Sequence, residues 1–150
     1  MNEWTDIEQI LNFAINEEQA AADFYTKMAD RATAPAMREV FEDFAREEQK
    51  HKAKLEAIKA GGTFKRAAKQ PIDLKIADYL VDVTPTPDMD YRSALVVAMK
   101  KEKAAFKLYT DLANSTPDET LKATFLMLAR EEARHKLGFE IEYDDMLTDN

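Results

Sequence analysis

Both histidines of this chain, and four of its glutamates, fall into two copies of one pattern. Glu18, Tyr25, Glu48 and His51 make the first copy, and Glu102, Tyr109, Glu132 and His135 repeat it 84 positions later. Each copy ends in Glu-x-x-His. Residues i and i+3 project from one side of a helix, so such a pair can reach one metal ion. Four carboxylates and two imidazoles are a complete ligand set for two divalent cations, and the charges cancel. Oxygen donors with a minority of imidazole suit iron or manganese better than zinc or copper. The chain has no cysteine, which excludes disulfides, thiolate metal sites, iron–sulfur clusters and thiol catalysis.

The repeat reaches beyond these residues. Laying 6–52 over 90–136 without gaps gives 16 identities in 47 positions. A repeat of that length is one supersecondary unit used twice. The spacing predicts an all-α chain of four long helices. The first runs from about Trp4 to Asp30, with the apolar stripe Trp4, Ile7, Leu11, Ala14, Ala21, Tyr25 and Met28 interrupted by Glu18. The second runs from about Pro35 to Ala60, stopped by Gly61-Gly62, and its stripe of Met37, Phe41, Phe44, Leu55 and Ile58 carries Glu48 and His51. The third runs from about Asp88 to Ala113, and the fourth starts near Thr116, where Thr-Pro-Asp-Glu reads as a cap with proline in the first turn.

Short turns near 31–34 and 114–116 make each half an antiparallel hairpin. Residues 61–88 are expected to be a long crossover, with a short amphipathic helix between Ile72 and Val83 that makes the second and third helices parallel. Two packed hairpins then form a four-helix bundle, one domain spanning 1–150.

The six ionisable residues stand where the 3-4 pattern calls for Leu or Phe. Burying an uncompensated carboxylate costs several kcal/mol, so four in one core need cations among them. Glu18 lies about as far before the first turn as Glu48 and His51 lie after it, and the second half repeats these intervals. The three therefore meet at one level in each hairpin. Glu17, Glu47, Glu131 and Glu142 sit roughly 100° off the stripe and read as solvated. Tyr25 and Tyr109 lie two turns past Glu18 and Glu102; they suit the core, and their hydroxyls suit a hydrogen bond to a ligand carboxylate.

A net charge of −8 and a pI near 4.9 argue against nucleic acid and anionic membranes as partners. Neither an 18-residue apolar stretch nor a signal-peptide pattern is present, so the expectation is a cytoplasmic protein with no membrane contact.

With these residues in view, the chain resembles the ferritin-like superfamily, and within it the rubrerythrin-type diiron domains. The residues that carry the resemblance are Glu18 with Tyr25, Glu47 to His51, Glu102 with Tyr109, and Glu131 to His135. It covers about 4–140, the crossover included. It implies a ferritin-like four-helix bundle holding two Fe ions, with Mn or a mixed pair as alternatives and without haem or flavin. Glu48 and Glu132 would bridge the ions, and Glu18, His51, Glu102 and His135 would complete them. The implied activity is a diiron oxidoreductase reacting with O2 or peroxide, as a ferroxidase or peroxide scavenger. Iron storage, or a dimanganese oxidase or catalase-like role, would use the same residues. A homo-oligomer, dimer or larger, is implied.

Two departures stand out. Rubrerythrins carry an extra carboxylate three residues after the third-helix Glu; here that position is Ala105, and its repeat mate is Ala21. Many also carry a cysteine-ligated rubredoxin module, so here any electron donor would be a separate protein.

Overall fold

The computed structural model describes residues 3–4, 7–32, 34–61, 74–81 and 89–148. Four long helices dominate: α1 (Ile7–Arg31), α2 (Pro35–Gly61), α3 (Tyr91–Ser115) and α4 (Glu119–Thr148). Two two-residue strands, β1 (Glu3–Trp4) and β2 (Leu74–Lys75), and a 3-10 turn, Ile76–Tyr79, are the other elements among the described residues. The first helix thus starts at Ile7 rather than Trp4, which is extended. No helix among the described residues is long and apolar enough to cross a membrane.

The chain divides into two compact units, residues 4–72 and residues 73–150 with 1–3. In the first, α1 and α2 pair as an antiparallel hairpin. Lys59 near the end of α2 donates to Asn12 near the start of α1 at 2.6 Å, and Lys52 donates to Gln19 at 2.8 Å. Pro35 opens α2 with its φ already helical, and Gly61 closes it. The predicted stripe is the buried one: Leu11, Ala14, Tyr25, Met28, Phe41 and Leu55 are each at most 2% exposed. The Tyr25 ring packs edge-on against Phe44, 6.2 Å between centroids.

In the second unit α3 and α4 pair in the same way, with Tyr91 at the head of α3 donating to Glu142 near the end of α4 at 3.4 Å. That contact and burial raise the Tyr91 pKa, and Glu142, expected in solvent, is half-buried. The core is Leu95, Tyr109, Leu112, Phe125, Leu128 and Phe139. Asp90 caps α3, accepting from the Ser93 amide at 2.7 Å. The cap of α4 differs from expectation. Asp118, not Thr116, accepts the Leu121 amide at 2.9 Å, and the Lys122 amide meets the Asp118 carbonyl. Thr116 instead terminates α3, and its hydroxyl accepts the Asp118 amide at 3.3 Å. Two cap-competent residues flank Pro117, and the helix begins at the second.

Of the expected short crossover helix, the structure gives the single 3-10 turn; 62–73 and 82–88, with Ile72 and Val83, lie outside the described residues. Tyr79 in that turn is buried, and Leu80 just after it is 56% exposed. Tyr79 is held by a polar clamp on α3. Its hydroxyl donates to Asp111 at 2.6 Å, Lys107 pairs with the same carboxylate at 3.0 Å, and the Lys107 ammonium lies 5.0 Å from the ring centre. Burial and the Asp111 carboxylate both raise the Tyr79 pKa.

Candidate metal centre

Each hairpin carries its own set of three donors. In the first, Glu18 comes from the middle of α1 and Glu48 and His51 from one face of α2. They are 2%, 1% and 3% exposed. Periodicity alone accounts for this, since all three occupy stripe positions and the stripe is buried. The His51 Nδ1 lies 3.4 Å from a Glu18 oxygen and 3.4 Å from a Glu48 oxygen. In the second hairpin, Glu102 on α3 and Glu132 with His135 on α4 are as deeply buried, at 1% or less. The His135 Nδ1 lies 3.6 Å from a Glu102 oxygen. In each set one donor atom per residue can be chosen so that all three lie within 4.8 Å of one another.

These spacings fit a shared cation. An N···O separation of 3.4 to 3.6 Å is long for a hydrogen bond to a charged group. Two donors each about 2.1 Å from one divalent ion stand roughly 3.0–3.5 Å apart. Two carboxylates and one imidazole in each set are also the donor chemistry of iron and manganese sites.

Without a cation, a proton takes its place at His51. Burial pushes the imidazole pKa down, but the Glu18 and Glu48 carboxylates 3.4 Å away outweigh it and hold the value up at about 11. A metal ion binding there must displace that proton.

All six expected donors are thus buried and grouped hairpin by hairpin. Tyr25 and Tyr109 are buried too, at 0% and 1%. Glu17, Glu47 and Glu131 are half-buried rather than fully solvated, as the flanks of a buried stripe must be. The Tyr79–Asp111–Lys107 clamp escaped the sequence reading. It pairs a crossover residue with α3, and no periodicity marks such a contact.

Residues 6–138 match the family described as ferritin-like domain. Two solved structures share the fold. A hypothetical protein from Pyrococcus furiosus is 26% identical with a TM-score of 0.76, over 95% of this chain and 90% of that one. A protein from Thermotoga maritima, described as ferritin-like and diiron-carboxylate, is 17% identical with a TM-score of 0.78, over 97% and 99% of the two chains. The fold is therefore a ferritin-like helical bundle. No curated protein sequence matches the chain.

Proposed function

This chain belongs to the ferritin-like domain family, and from that premise we propose that its two buried donor sets together hold two iron ions for reaction with O2 or peroxide. The observation that carries the reading is the repetition. Two carboxylates and one imidazole, all at most 3% exposed, converge in each hairpin from equivalent positions. Glu18, Glu48 and His51 of the first hairpin and Glu102, Glu132 and His135 of the second would hold the ions. Bound ferrous iron would supply the electrons that reduce the oxidant. The protein's share is to hold the donors in place, keep water out of each hairpin with buried side chains such as Phe41 and Phe125, and accept the loss of the His51 proton as metal enters. Tyr25 and Tyr109 steady the ligand carboxylates from behind. The site is of the rubrerythrin type in its ligands but lacks a carboxylate at Ala105, which favours ferroxidase chemistry over peroxide turnover. The reading goes with a cytoplasmic homo-oligomer in which any electron donor is a separate molecule.

Anaerobic titration of the metal-free protein with ferrous ion, followed by O2 and peroxide in separate runs, tests this. The expected result is two ions per chain and faster oxidation by O2. Glu132→Ala should lower the stoichiometry while leaving helicity unchanged. A wild-type chain that binds no ferrous ion overturns the proposal.

A further inference from the structure

The centre of the α3 stripe is sealed: Leu95, Glu102, Tyr109 and Ala113 are each 1% exposed or less. Phe106 lies one turn beyond Glu102, about 40° around the helix and roughly 6 Å along it. That places it on the same side as the sealed residues. Yet its ring is 41% exposed, and it is the one aromatic among the exposed large apolar residues that are described. Beside it Ala105 is half-buried. The equivalent level of the first hairpin is closed, with Ala21 at 7% and Ala22 at 1%. The two halves of the repeat thus differ one turn past the single Glu: two buried methyl groups in one, a half-buried alanine and a ring at the solvent boundary in the other.

We infer that Phe106 gates the passage of small neutral molecules to the Glu102, Glu132 and His135 donors, an inference that rests on the metal-binding reading above. An exposed ring changes rotamer on the picosecond to nanosecond scale, so it swings aside without any displacement of α3. Ala105 leaves room for what passes beneath. Exposed Lys103 and Lys107, the latter already paired with Asp111, follow on the solvent side of the ring.

The test is the rate at which 2,2′-bipyridine, a small neutral chelator, extracts ferrous ion from the anaerobically loaded full chain, read by the visible absorbance of its iron complex. Phe106→Ala should speed extraction several-fold, and Phe106→Trp should slow it, with helicity and oligomeric mass unchanged. Leu137→Ala, which trims another exposed apolar side chain on the outer face of α4, should leave the rate as it is. Extraction from Phe106→Ala at the wild-type rate overturns the gate and spares the metal site. So does equal acceleration by Leu137→Ala, which would mean general loosening. A change of oligomeric mass in Phe106→Ala with no change in rate assigns the ring to a subunit contact and likewise overturns it. A wild-type chain that takes up no iron overturns the metal site and the gate together.

Discussion

At the scale of single residues, the balance lies between burial and charge. Glu132 is 1% exposed in a stripe otherwise made of Leu and Phe. Removing its charge should relieve the metal-free protein and disable the loaded one. Glu132→Leu is expected to raise the thermal midpoint of metal-free protein, by analogy with buried ionic groups whose apolar replacement adds about 1–4 kcal/mol. It should also abolish the extra stability that ferrous ion confers on the wild type. Paired thermal melts with and without metal check both signs. His51 makes a second prediction. Its folded pKa of about 11 exceeds the ordinary 6.5, so the protonated form is the stabilised one. That contribution is fully present below 6.5, shrinks as pH rises, and is gone above about 11. The stability difference between metal-free wild type and His51→Gln should therefore narrow with rising pH. Denaturant titrations across that range measure it, and a difference that widens contradicts the assignment.

At the scale of elements, caps and clamps decide where helices begin and what docks on them. Asp118→Ala should cost about 1 kcal/mol by freeing the first-turn amide of Leu121, and Thr116→Ala should cost less. The order reverses if Thr116 were the cap, so urea unfolding of the two variants discriminates. Tyr79→Phe removes a hydroxyl bound to a carboxylate and should cost about 1.5–3 kcal/mol. Asp111 keeps Lys107 as a partner in that variant, so the loss stays local to the turn. Hydrogen exchange in 74–81 should rise while that of α3 holds.

At the scale of the whole molecule, the family match and the two structural matches give a ferritin-like bundle, and under the proposed function bound metal would add to its stability. Free metal at about a hundred times its dissociation constant should add roughly 2.7 kcal/mol per independent site. A chelator should return the melting transition to the metal-free value. A melting temperature indifferent to ferrous and manganous ions would mean that the donor sets hold neither. The net charge of −8 suits the proposed cation binding.

The sequence alone determined the four helices and the burial of six ionisable side chains, because both follow from period. A stripe repeating every three to four residues must be buried, and whatever stands on it, Glu18 or His135 as much as Leu11 or Phe125, is buried with it. The 84-residue repeat doubled that inference by giving each donor a mate. Helix starts were less legible, since Thr116 and Asp118 both qualify as caps and backbone geometry chooses between them. The Tyr79 clamp and the exposure of Phe106 depend on which segment lies over which face of α3. Such contacts join residues with no periodic relation, and only the tertiary structure fixes them.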